Sequence, residues 1–220
     1  MADYMDLRHN GAYEDKTAEI AALMKNSSAN GWILAKPNGF GKSTLLSTVR
    51  YLCAGNRENF RHLAVDTDAC DLTEHPVVFL NMARLVADSA DEFRRALHNV
   101  IIDGLGTTVL GQLGKAEADA ETLFDKGLTR LCETRRDVVV LIDNADAPIR
   151  YVQSLSAPTY SLIPDLNRFY SLLRRHAAAL GFLLVTSDLP FEELKAAGAN
   201  ELAFLKETGN TLSAFRGQDK

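Results

Sequence analysis

The chain is poor in the residues that staple small secreted proteins. Three cysteines, Cys53, Cys70 and Cys132, stand among 220 residues. The odd number and the lack of any C-x-x-C pair argue against a disulfide framework and against a cysteine-built zinc site. Each thiol reads instead as a small buried apolar side chain in a reducing compartment. The five histidines are scattered and form no H-x-x-x-H pair, so nothing points to a transition metal. Long apolar runs are missing too. The longest, Ala177 to Val185, is broken by Gly181 and falls far short of the ~20 residues that cross a bilayer. Positive charge is short: 24 Lys and Arg face 29 Asp and Glu, a net charge of −5, which gives no support to direct nucleic-acid binding. The first residues, Met1-Ala2-Asp3-Tyr4-Met5-Asp6, are polar and acidic, unlike a secretory signal. These absences lead to the expectation of a cytoplasmic protein with no membrane partner.

What is present is an ordinary globular composition, 46% hydrophobic and 24% charged, in a chain long enough for one core. The stretch up to Gly11 reads as a loose lead-in. Helical spacing of Ile20, Leu23 and Met24 predicts a helix over 16–26, and residues 26–31 carry a turn signal. Trp32-Ile33-Leu34-Ala35 reads as a buried strand, followed by a Gly-bearing loop and a helix over 42–53. Further buried strands are expected at Val77–Leu80, Val138–Ile142 and Phe182–Thr186, with helices over 91–105, 117–134, 165–180 and 191–197. A Gly-rich segment, 104–114, is ambiguous, and Pro148, Pro158 and Pro164 suggest a long loop. Strands that alternate with helices and read as unbroken apolar runs predict an α/β fold, a mostly parallel sheet covered by helices on both faces. The expected organisation is a lead-in over 1–12, one domain over 13–206 and a polar tail over 207–220.

The loop between the first strand and its helix carries the chemistry. It reads Lys36-Pro37-Asn38-Gly39-Phe40-Gly41-Lys42-Ser43-Thr44. Glycines let successive backbone N–H groups converge on phosphate oxygens, a lysine supplies a point charge, a hydroxyl in the first helical turn ligates Mg²⁺, and the helix start adds its positive end. Residues Pro37 to Thr44 are therefore the candidate nucleotide-binding loop, with Lys42 on the β/γ-phosphates and Ser43 on Mg²⁺. The usual first glycine would fall at Lys36, and Gly39 can supply the freedom instead. A second metal-site acid is expected at the end of a neighbouring strand, and Asp143 closes Val138-Val139-Val140-Leu141-Ile142. The next position commonly holds a Glu that polarises the attacking water. Asn144 stands there, and an amide can hold a water but cannot take its proton. Asp146 is a nearby carboxylate that can substitute. Thr186 and Ser187, at the end of the last strong strand, are candidate γ-phosphate sensors, with strand-end capping by Ser187 or Asp188 as the alternative. Arg150, Arg168, Arg174 and Arg175 are all available as an arginine finger.

With these residues in hand, the chain resembles a family of predicted ATPases, the AAA-ATPase-like family, whose members join a P-loop domain to a C-terminal PD-(D/E)XK nuclease-like domain. The family's Tyr-x-Asp-Lys-Thr segment is matched by Tyr13, Asp15, Lys16 and Thr17, and its Arg-Pro-Arg-Arg-Phe-Gly-Lys-Ser loop by residues 36–43. Leu45-Leu46-Ser47-Thr48, Gly55-Asn56 with Phe60, Pro76-Val77-Val78 and Phe169-Tyr170-Ser171 also match. Its Leu-Ile-Asp-Glu-Tyr-Asp-x-Pro-Ile motif appears as Leu141-Ile142-Asp143-Asn144-Ala145-Asp146-Ala147-Pro148-Ile149. Asn81 stands where the family often has Asp, and Asn144 where it has Glu. The resemblance covers roughly Tyr13 to Asp188. It implies a P-loop NTPase three-layer αβα sandwich with an ASCE/AAA-like core, ATP and Mg²⁺ as cofactors, and no nuclease half in this chain.

Three functions follow from different classes. The chain is a Mg²⁺-dependent ATPase, weak or dependent on a partner; or a nucleotide switch that hydrolyses slowly or not at all; or an interaction module that keeps the fold and has lost nucleotide. An unidentified protein partner or self-association goes with each. A small-molecule kinase would need an Arg-bearing lid, and a GTPase an Asn-Lys-x-Asp segment. Neither is found in the sequence.

Overall fold

A computed structural model describes residues 3–26, 31–66, 72–113, 119–155, 160–209 and 212. Five strands form one sheet: β1 (Trp32–Ala35), β2 (Val77–Asn81), β3 (Val139–Asp143), β4 (Phe182–Ser187) and the short β5 (Lys206–Glu207). Their order is β2-β3-β4-β1-β5, and every pair is parallel. Successive residues of a strand point to opposite faces. On β3, Val139 and Leu141 join one core while Val140 and Ile142 join the other. Both faces are dry, which is why the strands read as unbroken apolar runs.

One face is covered by α1 (Tyr4–His9), α2 (Thr17–Lys25) and α3 (Lys42–Cys53), whose Tyr4, Ile20, Leu45, Leu46 and Val49 pack on Leu34, Val139 and Leu184. The other is covered by α4 (Ala90–Leu113), α5 (Ala120–Thr134), α6 (Ala147–Ser154), α7 (Ile163–His176) and α8 (Phe191–Ala196). Phe93, Phe124, Ile149, Phe169 and Leu194 form that core. The result is the three-layer α/β/α sandwich expected from the alternating pattern, with all pairings parallel.

Several elements differ from expectation. The lead-in is not loose: Asp3 caps α1, accepting from the Met5 N–H at 2.9 Å, and Tyr4 is fully buried. The Tyr4 ring stacks on Phe60 at 5.0 Å, its hydroxyl donates to the Asn59 carbonyl at 2.6 Å, and its N–H donates to Ser47 Oγ at 3.0 Å. The expected proline loop contains α6, with Pro148 in its first turn, and α7 starts at Ile163 with Pro164 likewise placed. Proline fits there because its missing N–H has no intrahelical partner at a helix start. Helix α4 continues past Leu105 to Leu113 through a kink at Gly106 (φ 72°, ψ 165°). It passes so close to β2 that a Cβ on Gly104 would strike the Leu80 side chain and the Phe79 carbonyl. Beyond Glu207, Thr208 and Leu212 are buried. Cys53 is buried, Cys132 is half-buried, and burial pushes the Cys53 thiol up to about 12. Cys70, Pro158, residues 27–30 of the expected turn, the start of the helix expected from 117, and the tail positions 210–211 and 213–220 lie outside the described residues. Among the described residues no helix is long and apolar enough to cross a membrane.

Candidate functional site

The site lies where β1, β4 and β3 end side by side. Gly39 and Gly41 turn the chain from β1 into α3 with φ of 85° and 89°, left-handed angles that a Cβ disfavours. Gly41 is the N-cap of α3, and no side chain caps this helix start. That is the arrangement in which a helix offers its N–H groups and positive dipole end to an anion. The loop is closed by short bonds of its own. The Gly39 N–H donates to Asn38 Oδ1 at 2.9 Å, the Phe40 N–H to the Pro37 carbonyl at 3.3 Å, and the Lys36 ammonium lies 5.9 Å from the Phe40 ring centroid. Thr44 is buried, and its carbonyl accepts from the Thr48 hydroxyl at 2.9 Å.

Ser43 and Asp143, a hundred positions apart, meet here. The Ser43 hydroxyl donates to Asp143 Oδ2 at 2.9 Å. Strand β4 runs between β1 and β3, so Thr186 sits under the pair and donates to Asp143 Oδ1 at 2.6 Å. Asp143 and Thr186 are both fully buried. One hydroxyl and one carboxylate form a hard-oxygen pair of the kind Mg²⁺ takes alongside phosphate oxygens. Among the described residues no group of three or more His, Cys, Asp or Glu is placed to hold a metal ion. A cation bound at this pair would need ligands from elsewhere, which a nucleotide's phosphates supply, so the residues present fit a metal that arrives with its nucleotide.

Asn144 follows in a left-handed conformation, φ 58°, held by its N–H bond to Thr186 Oγ1 at 3.1 Å. Its Nδ2 donates to Asn81 Oδ1 at 3.4 Å, and the same Oδ1 accepts from the Ala83 N–H at 3.0 Å. A backbone N–H can only donate, so the Asn81 atom is the oxygen and the Asn144 atom facing it is the nitrogen. Two of the positions where the sequence departs from the resembled pattern, 81 and 144, are thus partners in the fold.

A loop, a helix start and a strand-end acid joined across a parallel sheet are what the sequence resemblance implied. The family model described as "Predicted AAA-ATPase" matches residues 1–194. The chain belongs to this family. The match begins at residue 1 and so takes in α1. A curated relative, "Uncharacterized protein in vnfD 5'region" of Azotobacter chroococcum mcd 1, is 26% identical over 195 residues, covering 86% of this chain and 36% of the relative. The chain therefore spans little more than a third of that relative's length.

The remaining site candidates of this AAA-ATPase-like domain separate clearly. Lys42 is 6% exposed, and its Nζ donates to the carbonyls of Lys36 (2.6 Å) and Pro37 (2.9 Å) and lies 2.6 Å from Asp188 Oδ1. Asp146 is fully buried. Its Oδ1 accepts from the Asp188 N–H at 2.9 Å and its Oδ2 lies 2.5 Å from Arg150 Nε. Arg150 also pairs with Asp188 through Nη2, at 3.0 Å. Ser187 turns back on its own chain and donates to the Leu189 carbonyl at 2.8 Å. Of the four arginines, only Arg150 is tied into the loop's charges. Arg168 pairs with Glu121 and Asp165, Arg174 with Glu201, and Arg175 with Asp125. Sequence reasoning weighed Asp188 only as a helix cap. The signal for more was its position, directly after a strand whose end was already a site candidate.

Proposed function

We propose that this chain binds ATP with Mg²⁺ and turns it over slowly or not at all, acting as a nucleotide-dependent switch. The observation that carries the reading is the 2.9 Å bond from Ser43 to the buried Asp143, set beside an uncapped helix start at the carboxyl ends of neighbouring parallel strands. In this reading the loop from Pro37 to Thr44 wraps the phosphates, Lys42 holds the β/γ-phosphates, and Ser43 and Asp143 hold the metal. Mg²⁺, when bound, supplies positive charge that offsets the phosphate oxygens. Thr186 fixes the Asp143 carboxylate and the Asn144 backbone at once. The Asn144 amide, nitrogen toward Asn81, presents an oxygen that can orient a water but has no capacity to take its proton. Asp146 is engaged with Arg150 and Asp188, and acts as a positioning residue for that charge cluster. The output passes to a protein partner, or a second copy of the chain, that recognises the nucleotide-bound form.

The reading is tested by calorimetry with ATP and Mg²⁺. Wild type is expected to bind and Lys42→Ala to lose binding; no heat beyond dilution in wild type overturns it. Phosphate release then separates switch from enzyme. Near-zero turnover that rises sharply in Asn144→Glu supports the switch, whereas robust turnover by wild type refutes it. The interaction-module reading finds its support in Lys42, whose three donors already have acceptors, and it is the one left standing if no nucleotide binds.

A further inference from the structure

An ammonium has three N–H donors. Lys42 meets three acceptors: the carbonyls of Lys36 and Pro37, which belong to the loop itself, and the Asp188 carboxylate, which comes from the end of β4. A phosphate can reach this ammonium only by replacing one of them. The carboxylate is the acceptor that resembles phosphate, being an anion with oxygens of similar hydrogen-bonding character. Lys42 is 6% and Asp188 19% exposed, so little water screens the pair. Asp188 also has a second anchor. Its Oδ2 lies 3.0 Å from Arg150 Nη2, and its N–H is held by the buried Asp146, which itself contacts Arg150. A carboxylate that releases Lys42 therefore keeps a cation, which removes the main cost of breaking a buried ion pair.

We propose that Asp188 is a built-in competitor for the phosphate-binding lysine. It neutralises Lys42 in the nucleotide-free protein and yields it to the phosphates of ATP, while Arg150 retains the displaced carboxylate. The proposal rests on the nucleotide-binding reading above and assigns Asp188 the setting of affinity, not a step of chemistry.

The experiment compares wild type with Asp188→Asn, which keeps the side chain's size and removes its charge. Calorimetry with MgATP is expected to give a Kd lower by roughly tenfold or more. In the nucleotide-free proteins, Lys42 is expected to be acylated several-fold faster by a small amine-directed reagent in the variant, read by peptide mass spectrometry against the other lysines. A folded Asp188→Asn protein with unchanged or weaker ATP affinity overturns the proposal and leaves nucleotide binding standing. Weaker affinity would mean that Asp188 helps to hold the nucleotide. Unchanged Lys42 labelling also overturns it. If neither protein binds ATP, the nucleotide reading falls and this proposal falls with it. Should Asp188→Asn fail to fold, Asp188→Ser removes the same charge and the same outcomes apply.

Discussion

Thr186→Val is the sharpest probe of how the site is held. The two side chains have nearly the same shape, so the change replaces a hydroxyl by a methyl at a fully buried position. The hydroxyl makes two bonds: it donates to Asp143 Oδ1 at 2.6 Å and accepts from the Asn144 N–H at 3.1 Å. A hydrogen bond to a charged group contributes about 1.5–3 kcal/mol, and a buried N–H left without a partner costs about 1–3 kcal/mol. The added methyl returns up to ~0.8 kcal/mol of apolar burial. A net loss of about 2–5 kcal/mol is expected, which for a domain of this size lowers the melting temperature by roughly 5–20 °C. Urea denaturation followed by far-UV circular dichroism measures the first, and a thermal melt the second. Thr186→Ser is the control: it keeps both bonds, loses one methyl and should cost about 1 kcal/mol. If Thr186→Val is no more costly than Thr186→Ser, the hydroxyl is not what fixes Asp143 and Asn144, and the account of this site's rigidity is wrong.

Two further outcomes follow from the packing and the ionisation. Tyr4→Ala removes a ring that stacks on Phe60, meets Tyr13 edge-on and lies tilted against Tyr51, and should cost about 3–5 kcal/mol by urea denaturation; a loss below about 1 kcal/mol would return α1 to the status of a loose lead-in. Burial raises the Cys53 thiol from 9.0 and the Tyr4 phenol from 10.0, each to about 12. Both folded values lie above the unfolded ones, so the unfolded chain loses these protons first as pH rises. Their contribution is full below about pH 9, declines above it and is gone past about 12, and the urea midpoint should fall between about pH 9 and about 12, as buffer series at about half-unit steps would show. A flat profile over that range would contradict the burial of both groups.

The strands were the most legible part of the fold. Val138 to Ile142 and Phe182 to Thr186 are buried on both faces, and that leaves an apolar run with no periodicity to misread. The phosphate-loop candidate was legible because glycine, lysine and serine have few uses in that order between a strand and a helix. Helix α1 escaped because six residues are too few for a periodic stripe, although Asp3 followed by an acidic first turn is a helix-start signal. Pro148 and Pro164 misled in the same way twice: proline breaks a helix interior and suits a helix start, and only the surrounding fold says which applies. The cluster of Lys42, Asp188, Arg150 and Asp146 was illegible for a different reason. Its members come from α3, α6 and the end of β4, and a charge in a sequence does not name its partner. The Asn81–Asn144 contact was hidden likewise, since each departure looked isolated until β2 and β3 were seen in register, Asn81 opposite Asp143.

The strand order also constrains how this protein folds. During synthesis a chain extended to residue 150 already contains Ser43 and Asp143, yet β4, which separates β1 from β3, has not been made. Trp32 waits for Leu184, and Val139 for Phe182. Pairings between residues so distant in sequence carry a loop-closure cost before any contact repays it, and they slow folding. Until β4 arrives, β1 and β3 expose strand edges that each can offer to the other or to neighbouring chains. Insertion of β4 is thus the event that ends this exposure and, in the same motion, carries Thr186 beneath Asp143 and Asp188 to Lys42.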